Sequence, residues 1–223
     1  MVDERLVDEI TRRVLERLGP AGQVPPPSPD IRQGFIPVGI SVRHLHVSQR
    51  DLETLYGSGA ELHPMRALVQ KGEFAAEETV TLVGPRMRCL GPVRILGPVR
   101  QRTQVEVALT DGVQLGVVPP VRASGDLGGA ESIIIVGPKD VLHKTETLIR
   151  ANRHIHMSTP DSELLELKDN DVVTVRVRAD RPLVFEAVQL RVKETYVTEM
   201  HLDTDDANAA GLSQGDLVQI IRD

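Results

Sequence analysis

Four of the chain's seven histidines fall in two copies of one short phrase. The first reads Arg43-His44-Leu45-His46-Val47-Ser48 with Asp51 following, and the second Arg153-His154-Ile155-His156-Met157-Ser158 with Asp161 following. The offset is 110 residues throughout, and Leu55 still answers Leu165. In a strand, residues i and i+2 face one side, so each pair can offer two imidazoles to one metal ion. The apolar residue between them then packs on the other side. A catalytic zinc takes three protein ligands and keeps its fourth position open, so each pair needs one more donor. Glu106 and His201 each precede a Thr-Asp pair, by four residues and by three. Repeat logic therefore groups His44, His46 and Glu106 in one site, and His154, His156 and His201 in another. Structural zinc sites prefer four Cys-rich ligands, which a chain with one cysteine cannot supply. The competing reading makes these histidines polar core residues bonded to backbone; two copies in matched context favour metal. His63 and His143 lie outside the repeats and are read as surface or structural.

Arginines cluster between the two halves: Arg86, Arg88, Arg94, Arg100, Arg102 and Arg122. A guanidinium presents a planar fork suited to phosphate oxygens. Arg100 precedes the Glu106 segment by a short turn and is the candidate anion-binding residue. Arg86 and Arg88 are read as solvated surface. The pattern of a Walker phosphate loop does not occur. Metal beside arginine fits chemistry at a phosphate oxygen or a polarised carbonyl.

The elements that must position these groups are mostly strands. Residues 36–47 read as strand leading into the first histidine pair, and Ser48 with Asp51, like Ser158 with Asp161, is a helix-start signature. Residues 58–78 read as an irregular insert with some helix. From residue 79 onward short strands alternate with Gly- and Pro-rich corners, which predicts small barrels. Thr204, Asp205 and Gly211 bound a short helical turn. At the N-terminus, residues 3–18 have the apolar spacing of an amphipathic helix, and residues 19–30 form a Pro-rich linker. A helix this short seeks a partner, either its own domain or another copy, or another protein on which it docks as a tethered targeting element.

Composition bounds the rest. Apolar residues make up 40% of the 223, only 2% are aromatic, and the core must rest on Val, Leu and Ile, which favour strands. A net charge of −6 argues against binding nucleic acid through its phosphates. No apolar stretch approaches the ~20 residues of a membrane span, and the N-terminus has no signal-like apolar region. A single cysteine, Cys89, fits a reducing cytoplasm and is read as a buried small hydrophobe.

IPVGISVRHLHVSQRDL, ILGPVRQRTQVEVALTDG, PPVRASGDLGG, RHIHMSTPDSELLELKDNDVV and EMHLDTDDANAAGL together resemble the PduL-type phosphate propanoyltransferases, the phosphotransacylases of bacterial microcompartments. The resemblance covers residues 34–221. It implies interconversion of acyl-CoA plus phosphate with acyl phosphate plus CoA, and the lack of an evident Ser or Cys nucleophile motif fits direct transfer without a covalent acyl-enzyme. It implies two zinc ions, at His44, His46 and Glu106 and at His154, His156 and His201, and a phosphate-binding catalytic arginine at Arg100. The implied fold is mainly β, two barrels capped by short helices, with the first strand completing the C-terminal barrel. The expected division is a targeting helix at 1–18, a linker at 19–33, one barrel from 34–45 plus 152–223, and another from 46–151. The N-terminal helix resembles encapsulation peptides, which implies microcompartment shell or core proteins as partners and a cytoplasmic location inside such a compartment. A homo-oligomer is expected. Ala130-Glu131 and Asp140 depart from the family pattern, in loops. A zinc-dependent thioesterase and a non-enzymatic metal-binding shell component are the competing functions.

Overall fold

The computed structural model describes residues 31–221. The expected N-terminal helix and most of the linker lie outside these residues. Ile31–Gln33, assigned to the linker from sequence, forms a 3-10 turn. Its Ile31 packs against the C-terminal core, which explains why the turn is ordered there.

The chain begins with β1 (Phe35–Ser41) and β2 (His44–His46), which enter different barrels. Helix α1 (Gln49–Tyr56) follows, capped by Ser48, whose hydroxyl accepts from the Asp51 N–H. Then come β3 (Pro64–Ala67), β4 (Phe74–Val83), β5 (Cys89–Gly97) and β6 (Gln104–Glu106). Helix α2 (Leu109–Leu115) leads to β7 (Val121–Arg122), β8 (Glu131–Val136) and β9 (Val141–Ala151). The second half repeats the order: β10 (His154–Met157), α3 (Thr159–Leu164), β11 (Val172–Val177), β12 (Leu183–Val192), β13 (Glu199–Asp203), α4 (Thr204–Ala210) and β14 (Leu217–Ile221).

Two six-stranded barrels result. One closes as β1-β13-β10-β12-β11-β14. The other closes as β9-β6-β2-β5-β4-β8, with β3 on the edge of β4 and β7 beside β9. Every pairing has the same sense in both circuits. The histidine strands lie parallel to β5 and β12 and antiparallel to β6 and β13. The strand before each histidine strand crosses over: β1 serves the C-terminal barrel, while β9, which leads into β10, serves the other. The crossings fall at Val42–Arg43 and Asn152–Arg153.

Each barrel has its own core of aliphatic residues, as the low aromatic content requires. Leu45, Leu82, Ile95, Val105 and Leu148 belong to one; Ile36, Ile155, Leu190, Met200 and Val218 belong to the other. Strand alternation then turns the neighbours of these residues outward: His44 and His46 flank Leu45, His154 and His156 flank Ile155, and His201 lies between Met200 and Leu202.

Three expectations fail locally. The 58–78 segment contains no helix. Its β3 is an exposed edge strand paired with β4, and a Pro at its first position suits an edge. Cys89 is exposed, because it sits where β5 emerges from the 84–88 turn at the barrel rim. The α2 helix falls in a stretch that read as strands and turns only. Asp111 accepts from the Ala108 N–H at its start, and Gly116 ends it in the left-handed conformation.

Leu45 and Ile155 are wholly buried between the paired histidines. Truncating either to Ala should cost about 2–5 kcal/mol, read as a lowered midpoint in urea unfolding of the metal-free protein.

Candidate metal and anion site

The register of each histidine strand places its third candidate donor. His44 lies across from Glu106 on β6, and His154 lies across from His201 on β13. Residues directly opposite in an antiparallel pair share a face, so all three donors of each set project together. Within each set, one donor atom per residue lies within 4.8 Å of the others. Tetrahedral zinc with its usual bond lengths would draw such atoms to about 3.3 Å apart, a change within reach of side-chain rotation.

The imidazoles are oriented from behind. His44 Nδ1 lies 2.8 Å from the Val42 carbonyl, and His154 Nδ1 lies 2.9 Å from the Asn152 carbonyl. His46 Nδ1 lies 3.2 Å from the Leu96 carbonyl. A backbone carbonyl only accepts, so each of these Nδ1 atoms carries the proton and Nε2 keeps its lone pair. In the other triad, His156 Nδ1 is buried without a hydrogen-bond partner, while His201 Nε2, which also makes no hydrogen bond, lies 3.4 Å from the Glu199 carboxylate. Buried polar atoms are rarely left so, and a metal ion would satisfy His156. The donor sets, His₂Glu and His₃, are those of open zinc centres. The residues present therefore fit zinc at both places.

Electrostatics agree. Burial first, then the neighbouring His44 and Arg100, pushes His46 down to about 3. Burial, then Arg191, takes His154 to about 4. Burial, then His154 and Arg191, takes His156 to about 3, and burial drives His201 well below its ordinary value. Burial works against the Glu106 carboxylate, but His44, His46 and the Ser124 hydroxyl outweigh it and hold the group low. Neutral imidazoles and an ionised carboxylate are the forms that bind metal.

The two triads share one small cavity, whose wall includes His44, Glu106, His154, His201, Ser41 and Asp203. Arg100 belongs to the same region. Its backbone bridges to Ser48 just beyond β2, and its charge bears on His46 of one triad and on His156 of the other. Its guanidinium pairs with Glu73 at 3.3 Å. His63 is exposed and pairs with Glu78, and His143 lies on β9 away from either triad. A larger open groove beside Tyr56 and Pro138 contains none of the triad residues.

Several supporting residues escaped the sequence reading. Thr103 and Thr198 each accept the N–H of the capping serine and donate to Asp51 and Asp161. Arg43 holds Asp111 at 2.7 Å, and Arg153 holds Asp206 at 2.9 Å. Gln104 and Ser124 both donate to Glu106, which ties that carboxylate to the Gly-rich loop at Ser124–Gly129. A constant offset of 95 residues, joining Thr103 to Thr198, Glu106 to His201 and Asp111 to Asp206, was the available signal.

Fold and site together define a two-barrel protein with twinned candidate metal triads facing one cavity. Comparison with known proteins supplies the family. The phosphate propanoyltransferase family matches residues 37–213. A phosphate propanoyltransferase of Thermotoga maritima is 53% identical over 82% of this chain and 88% of its own length. Those of Lachnoclostridium phytofermentans and Rhodopseudomonas palustris are 48% and 42% identical, the latter over 99% of both chains. The chain belongs to the phosphate propanoyltransferase family, whose members are phosphate acyltransferases.

The buried neutral histidines fix how acid acts on the metal-free protein. Their folded pKa values lie below the unfolded value, so below about pH 6.5 the unfolded chain binds more protons and stability falls as pH drops. Glu199, which burial raises to about 7, and the raised Asp203 act in the opposite sense. Four imidazoles outweigh them. The melting temperature of the metal-free protein should decline steadily from pH 6.5 to 4.5, and replacing His154 and His156 by Gln should flatten that decline.

Proposed function

We propose that the protein is a phosphotransacylase that interconverts acyl-CoA plus phosphate with acyl phosphate plus CoA, the acyl group being propanoyl or acetyl. The observation that carries this reading is the placement of Arg100, whose backbone bridges to Ser48 just beyond the His44-His46 strand and whose charge reaches a histidine of each triad. His44, His46 and Glu106 would hold one zinc ion, and His154, His156 and His201 a second. Zinc bound there would supply Lewis-acid stabilisation of charge developing on carbonyl, phosphoryl or sulfur atoms.

The side chains do the rest. Arg100 exchanges its Glu73 partner for a phosphate and holds it with one oxygen toward the thioester carbonyl carbon. The new C–O bond forms as the C–S bond breaks, and CoA departs as thiolate with the bonding electrons. The reacting ends of both substrates would meet beside the two triads, so the step gains from proximity. The sequence carries no evident Ser or Cys nucleophile motif, consistent with direct transfer and no acyl-enzyme. Cys89 lies exposed on the rim of one barrel. A thioesterase would use the same metals with water, and a shell scaffold would turn nothing over. Arg100 favours transfer over both, because neither needs an anion held between the triads. Among the described residues no helix is long and apolar enough to cross a membrane. The amphipathic segment at 1–18 would dock a homo-oligomeric enzyme onto shell or core proteins of a microcompartment in the cytoplasm.

CoA-thiol release from propanoyl-CoA and acetyl-CoA by the zinc-loaded protein should depend on phosphate and yield an acyl phosphate. Release without phosphate would instead mark a hydrolase. Arg100→Ala should raise the KM for phosphate about tenfold or more, with zinc content unchanged. Unaltered phosphate kinetics would remove Arg100 from the site. His154→Ala and His156→Ala should each lose one zinc per chain by metal analysis and lose turnover with it.

A further inference from the structure

Among the described residues, Arg191 is a cation without an ion-pair partner. It lies on β12 directly across from His156, in a parallel pair, so the two side chains share the outer face of the barrel. Its neighbour Leu190 points into the core. The Arg191 side chain is partly buried, yet among the described residues no carboxylate lies within ion-pair distance and no hydrogen-bond acceptor is assigned to it. Every other arginine that borders the triads is engaged: Arg100 by Glu73, Arg43 by Asp111 and Arg153 by Asp206. Arg191 is close enough for its charge to act on His154, His156 and His201, and it feels Glu106 and Arg100 in return. Two guanidinium groups that repel each other thus both lie near His156, Arg191 directly across from it and Arg100 close enough for its charge to act on it.

Half-burying a cation beside another cation costs free energy unless an anion joins them. The repeat offers no structural reason for the arrangement. At the 95-residue offset, Leu96 holds the position of Arg191 in the other barrel, and that barrel closes without a charge there. The asymmetry lies on the ligand face of the strand, beside a candidate metal donor.

We infer that Arg191 and Arg100 together form a two-sided clamp for the phosphoryl group transferred in the proposed reaction, with Arg191 contacting the phosphate oxygens on the His154-His156-His201 side. The inference rests on the function proposed above. CoA also carries phosphates, but the pantetheine arm separates them from the reacting sulfur. An anion touching residues beside both triads is the reacting one. Each guanidinium can give two parallel N–H donors to phosphate oxygens, and such charge-assisted pairs are the strong class of hydrogen bond. Lys cannot reproduce that fork.

The test uses the zinc-loaded full chain and inorganic phosphate, without acyl-CoA. Calorimetric titration of phosphate into Arg191→Met, which keeps an apolar stem, should give a Kd raised about tenfold, equivalent to about 1.4 kcal/mol. The KM for phosphate should rise in parallel, while zinc content and the KM for acyl-CoA stay within about twofold. Arg191→Lys should recover part of the loss, and it decides the matter if the Met variant fails to fold. A folded, zinc-replete variant with unchanged phosphate Kd overturns the clamp. So does a rise confined to the KM for acyl-CoA, which would assign Arg191 to the CoA phosphates. If the unaltered protein binds phosphate through Arg191 yet releases CoA without it, the proposed transfer fails while the anion clamp stands. If it binds no phosphate, the clamp fails whatever the turnover.

Discussion

The exchange of one strand between the barrels organises the whole site. β1 and β9 each belong to the barrel opposite the histidine strand that follows them, so the chain crosses between barrels immediately before each pair of imidazoles. The crossing links do chemical work as well as structural work. The carbonyls of Val42 and Asn152, one in each link, accept the Nδ1 protons of His44 and His154. Backbone geometry at the crossings therefore sets the tautomer and orientation of the first candidate donor in each triad. Arg43 and Arg153, the other residues of the links, anchor them to Asp111 and Asp206 on the helices after β6 and β13. Neither barrel can move away from the other without pulling a strand from a closed sheet, which costs many backbone hydrogen bonds at once. That constraint holds two triads, one from each barrel, against a common cavity.

The third donor gains from the same exchange. Glu106 is flanked by His44 on one side and by Ile149 of β9 on the other, and His201 by His154 and by Gly39 of β1. Each therefore sits on a central strand, pinned in register from both edges. Gly39 has a reason of its own: a Cβ there would meet the Glu199 carboxyl at 2.6 Å. Placement on strands rather than loops gives the precision that multi-ligand metal sites require. The loops contribute adjustment instead, as when Ser124 of the Gly-rich loop reaches back to Glu106.

What was readable in the sequence follows from which physical rule left a trace. The period-2 alternation of strands is local, so the two His pairs and the burial of Leu45 and Ile155 could be read directly. Helix caps are local too, and Ser48 and Ser158 cap as their spacing with Asp51 and Asp161 implies. Partner choice between strands is not local. Alternation says which face a residue takes and nothing about the strand beside it, so the crossing of β9 left no mark in the residues. The Thr-Asp pairs pointed to Glu106 and His201 but misaligned the halves by one residue, because the match runs from Asp111 to Asp206. The 58–78 segment lacks both periodicities because β3 is exposed on every residue and is held only by its backbone pairing with β4. Arg191 could not be found through the repeat, since the repeat has a leucine in its place.

The departures from symmetry are where function is concentrated. The histidine strands are offset by 110 residues but the later elements by 95, so the first half carries fifteen extra residues between Leu55 and Arg94. That insertion supplies the loop from which Glu73 reaches Arg100 and Gln70 grips the backbone of Val197 in the other barrel, at 3.0 and 3.1 Å. The triads differ as well: one contributes a carboxylate and the other only imidazoles. Two identical centres would attract an anion equally and give it no preferred orientation. With Glu106 on one side, and three neutral imidazoles beside Arg191 on the other, the field across the cavity is polarised. An anion entering the cavity would be favoured on the all-imidazole side, away from the Glu106 carboxylate. A duplicated fold thus yields an asymmetric site because few residues broke its symmetry, and those residues lie beside the cavity.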